Sequence, residues 1–429
     1  MEILFKNVTA VTMDGDNPVI ENANVGVKDG HITFKIDDKV KADRTIDGSG
    51  KVLIPGLYNC HTHTPMTLLR GFANDLSLED WLFNNIFPAE QKIKGIAGSV
   101  RTGSMLAIAE MIASGTIAFS DMYFGLADVA QAIEETGVKA NLSNGVISFE
   151  PEGFDYRDTG EYKDVQDVLT HFHNRGHGRI KAEAAVHCAY TTHPAVWQQV
   201  SDYAKEHKLT MHVHLSETVA EHNKSIEMFG LTPAEVFSKS GVFDRPTVAS
   251  HACWVTDDDM DILASHGVTV AHNPVSNLKL ASGIAPIIAM QKKGINIALG
   301  TDGMASNNSH DLFEEIKLAS ILQKCTQADP TAAPAQSVLE MATINGAKAQ
   351  GRQGGQIKEG FDADLALLDF NTPRQIPCYA PLTSLAYSTT GRDVVMTLCQ
   401  GRVLYENGEY KTLDIEKTMH EAKKIRETF

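Results

Sequence analysis

The segment Gly56-Leu57-Tyr58-Asn59-Cys60-His61-Thr62-His63-Thr64-Pro65 decides the fold. It follows the apolar run Val52-Leu53-Ile54, which predicts a β-strand, so His61 and His63 are expected at the end of that strand. Side chains two positions apart on a strand point to the same face. Two imidazoles on one face can bind one metal ion, although two structural histidines in a loop would show the same spacing.

Downstream of this segment, predicted strands and helices alternate. Eight strands are predicted, beginning near residues 52, 116, 138, 180, 209, 247, 268 and 295. Eight strands that alternate with helices predict an α/β fold with a closed (β/α)8 barrel of the TIM type over residues 51–354. The alternative is an open doubly wound sheet, but no glycine-rich phosphate turn follows the first strand.

The two ends of the chain have a different pattern. Residues 1–50 and 355–429 contain short β segments and tight turns such as Asp29-Gly30 and Asn407-Gly408. A charged amphipathic helix is predicted over 414–428. Because neither end can close a core alone, we expect both to join in one small β-sandwich domain beside the barrel.

Composition excludes several classes of function. The net charge of −16 over 429 residues argues against nucleic acid or an anionic membrane as the main partner. No signal peptide is indicated at the N-terminus, and no run approaches the ~20 apolar residues that a transmembrane helix needs. The six cysteines are scattered without a C-x-x-C pair, which predicts reduced thiols in the cytoplasm.

Barrels of this type carry their functional residues at the C-terminal ends of the strands. The predicted ends hold His61, His63, His187, His214 with Glu217, His251, His272 and Asp302. On spacing alone His212 could replace His214, because both lie on the same face of their strand. Three imidazoles and one carboxylate predict a mononuclear divalent site; Zn2+ suits these ligands, and Fe2+ would also fit. The fourth strand ends in His187, not in a lysine that could bridge a second metal.

Several motifs together resemble one superfamily. They are Pro55-Gly56-Leu57 with His61-Thr62-His63, the run from His212 to Glu217, Ser250-His251, and Gly300-Thr301-Asp302-Gly303. Over nearly its whole length the chain resembles the amidohydrolase superfamily, in the branch of metal-dependent aminohydrolases. The stretch from His63 to Gly71, with Glu79-Asp80-Trp81-Leu82 and Pro88-Ala89-Glu90, is most similar to the methylthioadenosine/S-adenosylhomocysteine deaminases.

This resemblance implies roles for individual residues. The implied metal ligands, which favour His214 over His212, are His61, His63, His214 and Asp302. The implied catalytic residues are Glu217, His251 and Asp302. The implied contacts to a purine nucleoside come from Glu90, His187, Trp81, Glu217 and Asp302. No role follows for His272.

The chemistry of deamination also requires these residue types. Zinc lets water act as a nucleophile near neutral pH. Asp302 can take the proton of that water, while His251 orients it. Glu217, as a carboxylic acid, can protonate the ring nitrogen beside the attacked carbon and then pass a proton to the departing ammonia.

The resemblance therefore implies a cytoplasmic, homo-oligomeric hydrolase that deaminates adenine nucleosides to inosine analogues. Methylthioadenosine, S-adenosylhomocysteine, adenosine and 5′-deoxyadenosine are all open as substrates. Relatives that accept S-adenosylhomocysteine are expected to hold its carboxylate with arginines; Arg157 is a candidate, but Asn144 stands where another arginine is expected. The alternatives are an aminohydrolase of guanine, a pterin or an s-triazine, a cyclic-amide hydrolase, and a non-catalytic scaffold.

Overall fold

A closed barrel of parallel strands forms the centre of the molecule. The structure is a computed structural model that describes residues 2–15, 17–36 and 41–429. Within these ranges the eight barrel strands, three of them interrupted, are Leu57–His63, Thr116–Met122, Lys139–Ser143 with Gly145–Val146, Ile180–Ala182 with Ala184–Val186, Met211–Leu215, Thr247–His251, Thr269–His272, and Asn296–Leu299 with Asp302–Gly303.

The interrupted strands close the barrel, because their two halves pair in different sheets. Lys139–Ser143 pairs with the second strand, whereas Gly145–Val146 pairs with the fourth. Asp302–Gly303 of the eighth strand pairs with Thr62 and His63 of the first. The predicted (β/α)8 barrel is confirmed, and the C-terminal ends of its strands share one mouth.

Helices cover the barrel with their apolar faces. Leu126–Thr136, for example, buries Val129 and Ile133 and ends at Gly137, where a φ of 88° favours glycine. The α-helices are Phe87–Gly95, Ser99–Ala113, Leu126–Thr136, Gly160–His171, Arg175–Gly178, Pro194–His207, Val219–Phe229, Pro233–Lys239, Asp257–Ser265, Pro274–Lys279, Ile287–Lys292, Leu312–Gln327, Ala335–Ala342, Ile344–Ala349, Pro381–Tyr387 and Ile415–Arg426. The 3-10 segments are Thr64–Leu69, Tyr156–Asp158, Val242–Asp244 and Gly391–Asp393. None of the helices in the described ranges is long and apolar enough to cross a bilayer.

Strands from both chain ends form a second sheet. In the described part of the chain its strands are Ile3–Val11, Val19–Lys28, His31–Thr33, Arg44–Asp47, Lys51–Pro55, Leu365–Asp369, Val394–Cys399, Arg402–Glu406 and Glu409–Tyr410. Lys51–Pro55 lies between Ile3–Val11 and Leu365–Asp369. The N-terminal and C-terminal segments are therefore hydrogen-bonded into one unit.

This terminal sheet curls around its own apolar core. Ile32 lies in His31–Thr33, the strand at one edge of the sheet, and its backbone N donates to Phe361 O at 2.8 Å. Phe361 precedes the inner strand Leu365–Asp369, so this bond brings the edge back toward the middle of the sheet. Phe5, Val25 and Leu398 are among the residues in that core. The structure thus shows the second unit, which the sequence predicts as a small β-sandwich, as a sheet with a core of its own. Residues 1, 16 and 37–40 of the predicted terminal domain lie outside the described residues.

The start of the first barrel strand differs from the prediction. The sequence predicts it near residue 52, within the barrel region 51–354, but Lys51–Pro55 pairs in the terminal sheet and the barrel begins at Leu57. A Cβ at the intervening Gly56 would lie only 2.4 Å from Cγ1 of Ile117, in the second barrel strand. Only glycine permits this close approach where the chain passes from one sheet to the other.

The segment after the first barrel strand is also less regular than predicted. The spacing of Ser77 and Asp80 predicts an N-terminal capping pair, and Asp80 N donates to Ser77 Oγ at 3.3 Å. The sequence predicts one helix over 77–87, but Asp80–Ile86 is a π-helical segment that continues into Phe87–Gly95. π-Helical segments are rare and occur frequently at functional sites.

Candidate active site

Side chains from four barrel regions converge at the mouth of the barrel. Ligand-type nitrogens of His61, His63 and His214 lie within 4.8 Å of one another, and the ligand-type atoms of His61, His251 and Asp302 do so as well. Oδ1 of Asp302 lies 3.5 Å from Nε2 of His61 and 3.2 Å from Nε2 of His63. The structure therefore brings together all four side chains that the resemblance implies as ligands.

The hydrogen bonds around the histidines fit a cation at this point. Nδ1 of His63 lies 2.5 Å from Met122 O, and Nδ1 of His214 lies 2.8 Å from His187 O, so both rings carry hydrogen on Nδ1 and keep a lone pair on Nε2. Nε2 of His61 is buried and has no hydrogen-bond partner among the described residues. A buried nitrogen without a partner beside a carboxylate is accounted for by a bound divalent ion with nitrogen and oxygen ligands.

His212 lies below this group instead of in it. Its Nε2 is 3.0 Å from Nδ1 of His61, and its Nδ1 is 3.7 Å from Oε2 of Glu183. Glu183 in turn accepts a hydrogen bond from Asn141 at 2.8 Å. His212 and His214 share a strand face, as the alternation predicts, but His212 is one step deeper in the barrel, where it contacts the back of His61.

Asp302 is held ionised by its surroundings. Its Oδ2 accepts hydrogen bonds from Ser276 at 2.6 Å and Ser306 at 3.0 Å, and its Oδ1 accepts one from Gly303 N at 2.7 Å. Burial opposes the charge, but the neighbouring imidazoles of His61 and His63 outweigh it and hold the pKa of Asp302 well below its usual value. The backbone has a φ of 65°, a strained conformation for this residue.

Glu217 and His251 lie next to the metal-type cluster. Oε2 of Glu217 is 3.8 Å from Nε2 of His251, and Oε1 accepts a hydrogen bond from Ser282 at 2.9 Å. Burial raises the pKa of Glu217, which favours the protonated carboxyl. Nδ1 of His251 contacts Oδ1 of Asn277 at 2.8 Å, and this places hydrogen on Nδ1 and leaves the lone pair on Nε2. His251 also has a positive φ, of 74°.

Glu221 supports Glu217 and was not singled out by the sequence. Its carboxylate accepts hydrogen bonds from Ser216 N at 3.2 Å and Glu217 N at 2.6 Å. Burial, together with the nearby charge of Glu217, raises the pKa of Glu221 to about 7. A signal was present in the sequence, since Glu221 follows Glu217 by one helical turn at the start of Val219–Phe229.

A cavity of about 370 Å³ opens onto the cluster. Trp81, Glu90 and His187 line it together with His63, His214, Glu217, His251 and Asp302. Burial raises the pKa of Glu90 and lowers that of His187 to about 3, so His187 is neutral near pH 7. A cavity of this size with a few converging polar groups is typical of a small-molecule site.

Two residues from the sequence prediction lie outside this cavity. Arg157 is exposed on the 3-10 turn Tyr156–Asp158, and its side chain does not line the cavity. His272 is fully buried behind the site, and neither ring nitrogen has a hydrogen-bond partner among the described residues. Burial lowers the pKa of His272 to about 3, so the ring is neutral. The structure gives neither residue a contact to a molecule in the cavity.

Comparison with known proteins agrees with this architecture. The profile described as Amidohydrolase family matches residues 52–404. The chain belongs to the amidohydrolase family. It is accordingly a hydrolase that acts on carbon–nitrogen bonds.

Two amidohydrolase relatives match over nearly their full lengths. The 5-methylthioadenosine/S-adenosylhomocysteine deaminase of Acetivibrio thermocellus is 43% identical over 439 residues, which cover 99% of each chain. The 5′-deoxyadenosine deaminase of Methanosarcina acetivorans is 42% identical over 427 residues, which cover 99% of this chain and 98% of the relative.

Solved amidohydrolase structures superpose closely on this one. A crystal structure of an adenosine deaminase from Xanthomonas campestris with bound zinc has a TM-score of 0.92 and 32% identity, and covers 100% of this chain and 98% of that one. The zinc complex of the atrazine chlorohydrolase TrzN from Arthrobacter aurescens has a TM-score of 0.89 over 99% of this chain and 100% of that one. At 21% identity the second likeness shows the fold alone.

Proposed function

We propose that the protein is a metal-dependent hydrolytic deaminase of adenine nucleosides. Water replaces the amino group of the purine, and the products are the inosine analogue and ammonia. The observation that carries this proposal is the nearly buried acid Glu217, 3.8 Å from His251 at the edge of the His/Asp cluster. The deaminase names of the two full-length relatives support it. Methylthioadenosine, S-adenosylhomocysteine, adenosine and 5′-deoxyadenosine are the proposed substrates.

The proposed metal is one Zn2+ per subunit, with Fe2+ as the alternative. The residues that would hold it are His61, His63, His214 and Asp302, since their ligand atoms converge and no described residue bonds to Nε2 of His61. When bound, the metal supplies the acidity that makes water a competent nucleophile near neutral pH.

The protein side chains then have separate proton-transfer tasks. Asp302, ionised by its hydrogen bonds, accepts the proton that water loses as it attacks the amine-bearing carbon. Glu217 donates a proton to the adjacent ring nitrogen, and this allows the ring to accept the electron pair of the new carbon–oxygen bond. His251 orients the water through the lone pair on Nε2. Glu217, now ionised, takes the proton of the new hydroxyl group and passes it to the amine, so that ammonia leaves as the carbonyl forms. The proton held by Asp302 then returns to Glu217 before the next turnover.

The cavity walls are proposed to bind the rest of the nucleoside. Trp81 offers an aromatic face for the purine, and Glu90 and neutral His187 offer polar contacts. Arg157 is not part of the proposal, because it does not line the cavity. The volume of about 370 Å³ lies within the usual range of sites for small ligands.

An ammonia-release screen tests the proposal. Zinc-loaded protein is incubated with the four adenine nucleosides and, in parallel, with guanine, a pterin and an aminated s-triazine. We expect turnover of the adenine nucleosides with a matching change of the purine absorbance. Turnover of only a non-nucleoside ring, or of none of the compounds, would overturn it.

The assembly and location of the protein belong to the same proposal. We infer that the protein is a homo-oligomer and that it is located in the cytoplasm. All six cysteines are unpaired in the structure, and free thiols fit a reducing compartment. Light scattering after size exclusion measures the assembly; a monomer at micromolar concentration would contradict it.

A further inference from the structure

A buried carboxyl group without an assigned role lies behind the candidate active site. Glu315 is in the first turn of the helix Leu312–Gln327 and is only 1% exposed. Burial raises the pKa of Glu315 to about 8, although hydrogen bonds from Val275 and Asn307 act in the opposite direction. Because burying a carboxyl group is unfavourable, an apolar residue would be more stable here if Glu315 only filled space.

One oxygen of Glu315 caps the short helix Pro274–Lys279. Its Oε2 accepts a hydrogen bond at 3.1 Å from Val275 N. This is one of the first N–H groups of that helix, and such groups have no partner inside a helix. The next residue, Ser276, donates through Oγ to Oδ2 of Asp302 at 2.6 Å. The position of this helix, fixed by Glu315, therefore determines a contact to Asp302.

The other oxygen of Glu315 fixes the chain on both sides of Asp302. Its Oε1 accepts a hydrogen bond from Nδ2 of Asn307 at 2.5 Å, and the same nitrogen donates to Thr301 O at 2.7 Å. An amide NH2 has two hydrogens, so Asn307 can make both bonds at once. Thr301 immediately precedes Asp302. Ser306, next to Asn307, donates to Oδ2 of Asp302 at 3.0 Å. Glu315 thus links the loop after the seventh barrel strand to the loop after the eighth.

The two active-site residues that these loops contact have strained backbones. The φ angle is 65° at Asp302 and 74° at His251, both in the left-handed region. Nδ1 of His251 lies 2.8 Å from Oδ1 of Asn277, which belongs to the helix that Glu315 caps. Strain of this kind persists only where the surrounding structure over-determines the conformation. The bonds of Glu315 supply part of this restraint, because they fix the segments that contact both residues.

We propose that Glu315 is a positioning residue for the deamination. It does not line the cavity, but it holds Asp302 and, through Asn277, His251 in the orientation that their tasks require. A misplacement of about 1 Å can lower the rate of a chemical step by about 10²-fold. This inference rests on the proposed function, because it connects Glu315 to the proposed proton acceptor of that reaction.

Glu315→Gln tests the role with little change in the size of the side chain. An amide can accept a hydrogen bond from Val275 or from Asn307, but it presents a donor to the other, so one side of the link is lost. With the best of the four adenine nucleosides and zinc in excess, we expect kcat to fall by about tenfold or more. KM should change by less than about twofold, because the cavity wall stays in place. Glu314→Gln is the matched control, since Glu314 is exposed, and it should keep the kcat of the unaltered protein.

A double-mutant cycle distinguishes positioning from a general loss of packing. Ser276→Ala removes one contact through which Glu315 acts on Asp302. The fall in kcat for the double variant should therefore be at least about threefold smaller than the product of the two single falls. Glu221 contacts the backbone of Glu217 in another loop, so the falls for Glu221→Gln and Glu315→Gln should multiply.

Asn307→Ala is a second variant, for the case that Glu315→Gln does not fold. It removes one bond of Glu315 and leaves the cap on Val275, so kcat should fall while KM is kept. Melting temperatures show which variants are folded. If neither variant folds, Glu315 serves the fold alone and the inference is wrong.

The remaining outcomes separate the inference from the proposed function. A folded Glu315→Gln or Asn307→Ala protein with the kcat of the unaltered protein would overturn the inference and leave the deaminase standing. Falls that multiply fully in the cycle with Ser276→Ala would also overturn it. If the unaltered protein releases no ammonia from any of the four nucleosides, the proposed function itself is wrong.

Discussion

Glu217 combines burial with a position beside the proposed metal ligands, and this is the position that the proposed proton donor to the purine ring requires. The side chain is 13% exposed, and burial raises its pKa. Glu217→Gln keeps the shape of the side chain but removes the proton donor. We expect kcat for ammonia release to fall by about 10²–10⁴-fold, the usual contribution of a general acid. Zinc content measured by mass spectrometry should not change, because Glu217 is not in the ligand cluster.

Glu227→Gln is the matched control for this substitution. Glu227 lies in the helix that follows Glu217, Val219–Phe229, is 72% exposed and pairs with Lys224. Its replacement should leave both kcat and zinc content as they are. Wild-type turnover in Glu217→Gln would remove Glu217 from the mechanism.

His212 and Glu183 are expected to act on the metal through His61. The chain of contacts runs from Nδ1 of His61 to His212 at 3.0 Å and on to Glu183 at 3.7 Å, and all three side chains are buried. Partners of this kind orient a ligand and raise its basicity, and their loss typically lowers metal affinity by about 10–100-fold. We predict such a loss for His212→Gln and a smaller one for Glu183→Gln, measured by competition with a chelator.

The thermal stability of the metal-free variants distinguishes this role from a purely structural one. Melting temperatures of the metal-free variants report packing alone, whereas chelator competition reports the ligand. Glu206→Gln, in the neighbouring helix Pro194–His207, provides an exposed control. If His212→Gln binds zinc as tightly as the unaltered protein, the contact with His61 has no bearing on the metal.

The sequence predicted which side chains converge but not the partners that hold them. Histidines and carboxylates at strand ends are visible in the sequence because the barrel fixes where strand ends go. The choice of His214 over His212 depends on depth along the barrel axis, which alternation cannot give. Ser276, Asn277 and Ser282 follow the seventh strand, and their contacts to Asp302, His251 and Glu217 depend on the path of that loop.

At the level of elements, the sequence predicted the number and order of the barrel strands, since helical and strand periodicities alternate clearly. It could not show that the apolar run at Val52-Leu53-Ile54 belongs to the terminal sheet, because a buried strand needs apolar side chains in the barrel and in the terminal sheet alike. It also did not show the π-helical segment Asp80–Ile86. Such segments depend on the packing of side chains, here of Trp81 toward the cavity.

The eighth barrel strand is interrupted at residues 300–301, and the geometry of this interruption depends on Gly300. A Cβ at Gly300 would lie 2.4 Å from Oδ1 of Asn273 and 2.8 Å from Cβ of His61. Gly300→Ala should therefore displace His61 and separate the first and eighth strands. Overpacking of this kind costs about 1–3 kcal/mol. We expect a lower melting temperature and a reduced zinc content at equal total zinc.

Gly95→Ala supplies the control for that change. Gly95 ends the helix Phe87–Gly95, and a Cβ there meets nothing within 4 Å. Alanine is the better helix former by roughly 0.5–1 kcal/mol, so this variant should be as stable as the unaltered protein or slightly more so. A Gly300→Ala protein with normal zinc content would show that the strand gap can absorb a methyl group.

Across the whole molecule, the barrel and the terminal sheet are joined by buried charges. Lys139, in the third barrel strand, donates to Asp364 and, at 2.7 Å, to Asp362, which precede the sheet strand Leu365–Asp369. Arg352 donates to Gly178 O at 2.7 Å and to Arg179 O at 2.8 Å, at the base of the fourth strand. These contacts lie at the end of the barrel opposite the active site, where they stabilise the fold and leave the mouth of the barrel free for chemistry.

Metal removal is predicted to destabilise the entire barrel, because the proposed ligands come from its first, fifth and eighth strands. A ligand that binds only the folded state at 100 times its Kd adds about 2.7 kcal/mol to stability. At roughly 2–4 °C per kcal/mol for large domains, zinc should raise the melting temperature of the chelator-treated protein by several degrees at pH 7.5. Imidazoles bind metal only when neutral, with an ordinary pKa of about 6.5, so the increase should shrink as the pH falls to 5. His63→Gln should lose most of the increase, and the exposed His177→Gln should keep it. An equal increase in the two variants would place the zinc somewhere other than the mouth of the barrel.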